Sequence, residues 1–235
     1  LRAYPDVPSL PATPDLAVIA TPADQVARVV ADSSARGTKV AVIIAAAAAD
    51  AGAAGAALQR ELSGSAARGG MRFACPNCIG VMVPGIGLNA SFAQVTPPAG
   101  EIAFLSQSGA MVTAVLDWAQ PRGIGFSHLI SMGELGDIEF GDVLDDLADD
   151  SETRAILMYI EAVTNARKFM SAARRASRVK PVIAIKAGRH AEAAKAVASH
   201  TGALAGADAV YDAAFRRAGM LRVYQLDQLF AAAQT

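Results

Sequence analysis

The feature that most constrains this sequence is the regular alternation of short apolar runs with longer segments of helical pattern. The runs are rich in Val, Ile, Leu and Ala, and such nearly continuous apolar runs are typical of parallel strands covered by helices on both faces of a sheet. They lie at residues 16–20, 40–44, 71–74, 102–105, 128–130, 156–160 and 182–185. The sequence therefore predicts an α/β protein built from doubly wound parallel sheets.

A segment rich in proline and glycine divides the chain. Residues 96–100 are Thr-Pro-Pro-Ala-Gly, which neither a helix nor a strand continues easily, and a new apolar run begins directly after them. We therefore predict two doubly wound domains, residues 1–97 and 98–235, which suits a chain of 235 residues. The first is predicted to be Rossmann-like but incomplete, because the first βα unit and its Gly-rich turn are missing from it.

Composition and charge argue against several classes of protein. Apolar residues make up 53% of the chain, but charged or helix-breaking residues interrupt every stretch long enough to cross a bilayer, so we predict no membrane span. The formal net charge of -1 provides no basic field, so we predict no nucleic-acid partner. No charged-then-apolar leader precedes the first strand, which favours a cytoplasmic protein.

The two cysteines form the pattern Cys-Pro-Asn-Cys at residues 75–78. This pattern is compatible with a redox pair or with half of a zinc site, and neither interpretation is specific. A structural zinc site needs four ligands, and the spacing of the histidines does not complete one. The histidines are His128, His190 and His200. We therefore predict no metal site.

Residues 104–111 pass from an apolar strand through small polar residues into a helix that is predicted to begin near Ala110. Small residues let backbone N–H groups approach a ligand, and a helix start carries about half a positive charge, so the segment suits a phosphate or carboxylate. The candidate phosphate-binding residues are Ser106, Gln107, Ser108, Gly109 and Ala110. The alternative interpretation is that Ser108 only caps the helix. A serine-hydrolase elbow is excluded, because neither serine has glycine two positions before and two positions after it.

His200 lies among small residues and glycines in the segment 198–206. An imidazole with room to move presents a ring nitrogen that is nucleophilic at neutral pH and accepts a phosphoryl group. The alternative is a surface or helix-capping histidine. Glu161 follows an apolar strand, at the edge where ligands of parallel sheets collect. There its carboxylate can orient His200 by accepting a hydrogen bond from one ring nitrogen, whereas the alternative is a solvated glutamate.

Four segments carry a resemblance to a known family. They are Ser106-Gln107-Ser108-Gly109-Ala110, Tyr159-Ile160-Glu161, Ile185-Lys186-Ala187-Gly188-Arg189 and Ser199-His200-Thr201-Gly202-Ala203-Leu204-Ala205-Gly206. Together and in this order they closely resemble the NDP-forming acyl-CoA synthetases, which are relatives of the succinyl-CoA ligase α subunit. The resemblance implies that the first domain is the end of a CoA-binding domain. It implies that the second is a flavodoxin-like, succinyl-CoA-ligase-like domain with a phosphohistidine loop.

The resemblance also implies a reaction. In this family an acyl-CoA reacts reversibly with phosphate to give an acyl phosphate, whose phosphoryl group passes to a histidine and then to ADP. By resemblance, His200 is that histidine and Glu161 is the carboxylate that orients it. Residues 106–110, Thr201 and Gly202 are then expected to contact the phosphoryl group.

The resemblance further implies binding of coenzyme A at strand ends of the first domain. The matching residues are Thr21, Pro22, Asn77 and Cys78, so that Cys78 needs no redox role. The chain departs from the family where Cys75 replaces the usual glycine before Pro-Asn-Cys. No ATP-grasp pattern is present, so ADP or ATP with Mg²⁺ is expected to be held by a partner domain or subunit. The expected substrates are CoA and a small carboxylic acid, and the active species is expected to be an oligomer.

Two other functions were weighed against this one. Related domains serve as acyl-CoA-sensing regulatory modules fused to lysine acetyltransferases; such modules need no phosphoryl acceptor, so the presence of His200 argues against that function. A dinucleotide-binding dehydrogenase domain would need a Gly-x-Gly-x-x-Gly turn, which the sequence lacks.

Overall fold

The computed structural model describes residues 2–45, 53–189 and 207–233, which form two sheets. The first sheet has three parallel strands in the order β1-β2-β3, and two helices connect them. Its elements are β1 (Leu16–Ile19), α1 (Ala23–Ala35), β2 (Val40–Ile43), α2 (Ala53–Arg68) and β3 (Arg72–Ala74).

The second sheet has seven strands in the order β10-β9-β8-β6-β7-β4-β5, and β6 lies between β7 and β8 with both pairings parallel. Its first elements are β4 (Gly80–Val83), β5 (Leu88–Ser91), β6 (Ala99–Ser106), α3 (Gly109–Ala119), β7 (Phe126–Ser131) and α4 (Phe140–Asp149). The others are β8 (Ala155–Ile160), α5 (Ala166–Ser177), β9 (Val182–Lys186), α6 (Asp208–Ala218), β10 (Leu221–Val223) and α7 (Leu226–Ala233).

The doubly wound character of the second sheet follows from its alternating side chains. On β6, Ala103 and Leu105 pack in one core with residues of α4, α5 and α6, whereas Phe104 packs in the opposite core with residues of α3 and α7. All three side chains are fully buried. Burying both faces of a strand requires the continuous apolar run that its sequence shows, because neither face meets water.

The predicted α/β class and the seven predicted strands are confirmed. Three further strands were missed, namely β4, β5 and β10. β4 and β5 form an antiparallel hairpin, and β4 is also antiparallel to β7, so this edge of the second sheet is mixed. β4 has only three apolar residues after its glycine, β5 carries asparagine and serine, and β10 is three residues long with a central arginine, so none of them shows the longer apolar run of a buried parallel strand.

The chain changes from the first sheet to the second between β3 and β4. The hairpin of β4 and β5 precedes residue 97 in the chain but belongs to the second sheet, while the predicted division at residue 97 stays a prediction.

Polar contacts join β3 to the loop that follows β7. Asp137 accepts a hydrogen bond of 2.7 Å from Nε of Arg72 and one of 3.0 Å from the Phe73 backbone N–H. Asp137 therefore stabilises this junction between the two sheets and is not the N-cap of α4. The cap is Glu139, which forms a reciprocal capping box with Asp142.

Among the helices in the described part of the chain, none combines the length and the apolar character that crossing a membrane requires.

Candidate functional site

The end of β6 and the start of α3 form a tight polar turn. Ser108 is the N-cap of α3, and its side chain accepts a hydrogen bond of 3.3 Å from the Met111 backbone N–H. The Ser106 hydroxyl donates to the Ser108 carbonyl at 2.8 Å and accepts from the Ser108 N–H at 3.1 Å. Ser106 is buried, whereas Ala110 is exposed on the first turn of the helix. Ser108 therefore caps the helix, while its contact with a phosphate stays a prediction; the N–H groups of Gly109 and Ala110 at the helix start have no partner within the helix.

Gln107 connects this turn to the neighbouring strand β8. Its side-chain Oε1 accepts hydrogen bonds from the backbone N–H of Glu161, at 2.6 Å, and of Ala162, at 2.9 Å. The Gln107 backbone N–H donates to the Tyr159 carbonyl at 3.2 Å. Gln107 and Glu161 are both buried. The predicted phosphate-binding turn and the backbone of Glu161, the residue predicted to orient the histidine, are therefore fixed side by side at the carboxyl edge of the sheet.

Lys186 is a functional candidate that the sequence analysis did not single out. It ends β9 and pairs in register with Ile160, the residue before Glu161. It is buried, its Nζ donates to the Ala187 carbonyl, and that Nζ lies 4.7 Å from the centre of the Tyr211 ring. A lysine at the end of a buried strand was the available signal, because an uncompensated buried ammonium is costly and calls for a nearby acceptor or anion.

The charges at this edge influence one another. Burial lowers the pKa of Lys186, and Arg222 adds to the lowering, while the carboxylates of Asp208 and Glu161 oppose it. Burial raises the pKa of Tyr159, and the negative charge of Glu161 raises it further. Glu161 therefore lies close enough to Lys186 and Tyr159 for its charge to influence the pKa of each.

The predicted nucleophile His200, together with Thr201 and Gly202, lies outside the described residues. The described chain on either side is held near β10. The Arg189 guanidinium lies 4.5 Å from the centre of the Tyr224 ring, and Asp208 accepts a hydrogen bond from Arg222. β9, which precedes this part of the chain, pairs with β8, the strand that leads to Glu161.

The predicted CoA contacts lie at the corresponding edge of the first sheet. Thr21 follows β1, and its hydroxyl oxygen is buried with no hydrogen-bond partner in the described structure, which is what a site for an absent polar ligand would show. Pro22 is the N-cap of α1, and Asn77 is exposed in a left-handed conformation after β3. These groups fit a ligand such as CoA at this edge, and their contacts with it stay a prediction.

Cys78 differs from its expected state. It forms a disulfide with Cys75, with the two Cα atoms 5.8 Å apart. The bond shows that Cys78 is not a free thiol, while its contact with CoA and the expectation that it needs no redox role stay predictions. No group of three or more His, Cys, Asp or Glu residues within the described ranges could hold a metal ion.

Comparison with known families identifies the chain. Residues 99–235 match the model of the succinyl-CoA ligase like flavodoxin domain, and residues 1–84 match that of a CoA binding domain. The chain belongs to the succinyl-CoA ligase like family. The resemblance inferred from its sequence motifs is thereby confirmed, and the first matched range includes β4, whereas β5 lies between the two ranges.

Relatives of this succinyl-CoA ligase like chain include two acetate–CoA ligases. It is 43% identical to the ADP-forming acetate–CoA ligase I of Archaeoglobus fulgidus over 97% of its own length and 33% of the relative. It is 41% identical to the α subunit of the ADP-forming acetate–CoA ligase I of Pyrococcus furiosus, over 97% of its own length and 50% of the relative. The chain therefore spans a third to a half of the curated relatives that it matches.

A solved structure is similar over nearly the whole chain. The acetyl-coenzyme A synthetase 1 of Ca. Korarchaeum cryptofilum, in complex with phosphate and ADP, matches with a TM-score of 0.92 and 37% identity. The match covers 98% of this chain and 50% of that one.

Substitution of Gln107 by methionine tests the connection between β6 and β8. Gln107→Met removes the acceptor and leaves the N–H groups of Glu161 and Ala162 buried without one, so the free energy of unfolding is expected to fall by about 2 kcal/mol or more. Gln94→Met, at an exposed position, is the matched control and is expected to change it by less than about 0.5 kcal/mol. Urea denaturation measures both, and equal effects would contradict the bridging role.

Substitution of Lys186 by methionine tests the buried charge. Because the pKa of Lys186 is lowered from 10.5 on folding, the unfolded chain binds more protons between the two pKa values. The free energy of unfolding of the wild type is therefore expected to increase as the pH rises toward 10.5, and that of Lys186→Met is expected not to show this increase. Urea denaturation over this pH range measures the difference, with the exposed Lys39→Met as control for the loss of a lysine. If the free energy of unfolding depends on pH in the same way in the wild type and in Lys186→Met, folding does not lower the pKa of Lys186.

Proposed function

We propose that this chain is the CoA-binding and phosphohistidine-carrying part of an NDP-forming acid–thiol ligase. In the proposed reaction, acyl-CoA, phosphate and ADP interconvert with a carboxylic acid, CoA and ATP. The observation that carries the proposal is the Gln107 bridge, which fixes Glu161 beside the start of α3. The family assignment and the names of the relatives support it.

The first proposed step is attack of a phosphate oxygen on the thioester carbonyl carbon. The carbon–sulfur bond breaks, CoA leaves as a thiol with the proton released from phosphate, and an acyl phosphate remains. Backbone N–H groups at the start of α3, with the hydroxyl of Ser108 already used as its cap, are suited to bind the phosphoryl oxygens. Fixed donors of this kind stabilise charge that develops on those oxygens.

In the second proposed step, a ring nitrogen of His200 attacks phosphorus. The bond from phosphorus to the acyl oxygen breaks, and the acid leaves as a carboxylate. Glu161 accepts a hydrogen bond from the other ring nitrogen and stabilises the positive charge that forms on the imidazole. Its burial and its fixed backbone position favour this role, because a buried carboxylate interacts more strongly with a cation than a solvated one.

In the third proposed step, the phosphoryl group passes from His200 to ADP. An ATP-grasp domain or subunit is proposed to hold the nucleotide and Mg²⁺. The relatives of this chain are two to three times its length or are named as α subunits, which is consistent with such an assembly. A cytoplasmic location is proposed with it.

The test is phosphoryl transfer from acetyl [³²P]phosphate, which needs His200 and Glu161 but no nucleotide partner. We expect acid-labile, base-stable label on the wild type, none on His200→Asn, and a rate at least about a hundredfold lower for Glu161→Gln. His190→Asn is the matched control, since it removes a nearby histidine and is expected to label like the wild type.

Labelling from [γ-³²P]ATP and Mg²⁺, with an ATP-grasp partner present, then tests the third step. Label on His200→Asn equal to that on the wild type would contradict the proposal. Absence of label from either donor on the folded wild type would favour an acyl-CoA-sensing module instead.

A further inference from the structure

The disulfide between Cys75 and Cys78 closes the turn that connects the two sheets. Cys75 directly follows β3, and β4 begins at Gly80, two residues after Cys78. Cys75 is completely buried, and Cys78 is 5% exposed. In a reducing compartment, a protein disulfide that does form is usually a redox-sensing or catalytic one.

The backbone of the turn explains why the disulfide has consequences. Cys75 has a φ of 74° and Asn77 a φ of 58°, so both adopt the left-handed conformation that side chains disfavour and glycine tolerates. Cysteine lacks the conformational freedom of glycine, but the covalent bond to Cys78 holds Cys75 in the left-handed conformation.

The turn touches the ligand-facing edges of both sheets. The Asn77 N–H donates to the Ala45 carbonyl after β2 at 3.2 Å, and the Glu134 N–H after β7 donates to the Pro76 carbonyl at 3.1 Å. A side chain at Gly133 would place its Cβ only 2.2 Å from that same Pro76 oxygen, so the contact requires glycine. A change in the backbone conformation of the turn is therefore expected to move the strand ends where CoA is proposed to bind.

We propose that Cys75–Cys78 is a thiol-exchange site and that its oxidised form holds the edge of the first sheet in the conformation that binds CoA. The proposal rests on the proposed function for the identity of the bound ligand. Its reactant is a small-molecule thiol. When the bond is reduced, Cys75 loses the covalent restraint that keeps it left-handed, the turn relaxes, and the affinity of this edge for CoA falls.

The exchange balances with two equivalents of thiol. A thiolate attacks the Cys78 sulfur, the more exposed of the two, and the bond to Cys75 breaks with Cys75 leaving as a thiolate. A second thiolate attacks the sulfur of the first thiol and releases Cys78 as a thiolate with a small-molecule disulfide. Two electrons pass from the two thiols to the protein, and their two protons end on the cysteines.

The test compares binding of desulfo-CoA, which lacks a thiol and cannot itself exchange, to the oxidised and the phosphine-reduced protein. Calorimetry is expected to show a Kd about five- to tenfold higher after reduction. By reciprocity, saturating desulfo-CoA should make reduction less favourable by the same factor. Thiol titration of the unfolded chain should find no free thiol before reduction and two after it, because the sequence holds two cysteines.

Two matched variants separate the backbone effect from the loss of a sulfur. Cys75→Gly cannot form the disulfide but adopts the left-handed conformation freely, so it should bind desulfo-CoA like the oxidised wild type in either redox condition. Cys75→Ser should bind like the reduced wild type in either condition.

Each remaining outcome decides between the two proposals. Equal affinity of the oxidised and reduced wild type, or two free thiols after treatment with a disulfide-forming oxidant such as diamide, would overturn the thiol-exchange site alone. Absence of desulfo-CoA binding in both states would overturn the thiol-exchange site together with the CoA-binding part of the proposed function. Phosphoryl labelling of His200 from acetyl phosphate is independent of either result.

Discussion

The hydrogen bonds from the Glu161 and Ala162 amides to Gln107 are the contact on which the candidate site depends. Parallel strands bring their carboxyl ends to one edge of the sheet. The pairing of neighbouring strands does not by itself fix the conformation of the loops that follow them. A single buried oxygen satisfies two buried donors here, which makes its loss costly and the arrangement well defined. The start of α3 and the backbone of Glu161 are consequently held next to each other.

A second constraint is the attachment of the first sheet to the second. The contacts of Arg72 and Phe73 with Asp137 join β3 to the loop after β7, and the 75–78 turn runs alongside the same loop. The ligand edge of the small sheet is thereby placed on the side of the second sheet where β7 ends. An acyl-CoA held by the first sheet and a phosphoryl group held by the second fit this arrangement, which is how the proposed chemistry divides between the two parts.

The sequence predicted those parts of the fold that depend on local pattern. The strands around Phe104 and Leu157 were predictable because both faces are buried and the run is continuously apolar. β10 and the β4–β5 hairpin were not predictable, because strands of three or four residues are too short to show a clear pattern of apolar residues. Ser108 was predictable as a cap, because a cap is a local interaction.

The missed features of the site depend on contacts between distant residues. Gln107 was predicted as a phosphate contact, but its bridge to Glu161 joins residues 54 positions apart, and no local pattern reports it. Lys186 was quoted only within a motif, because its burial beside Tyr211 is set by the packing of α6. The Cys75–Cys78 bond was set aside on the strength of the resemblance, although the departure from glycine at position 75 was the available signal.

A crystal structure of the protein with bound inorganic phosphate would show whether the edge formed by β6, α3 and Glu161 holds a phosphoryl group. We expect phosphate oxygens within hydrogen-bond distance of the backbone N–H groups of Gly109 or Ala110, with His200 next to both the phosphate and Glu161. A saturating phosphate concentration that leaves this position without phosphate while His200 lies remote from Glu161 would contradict this expectation.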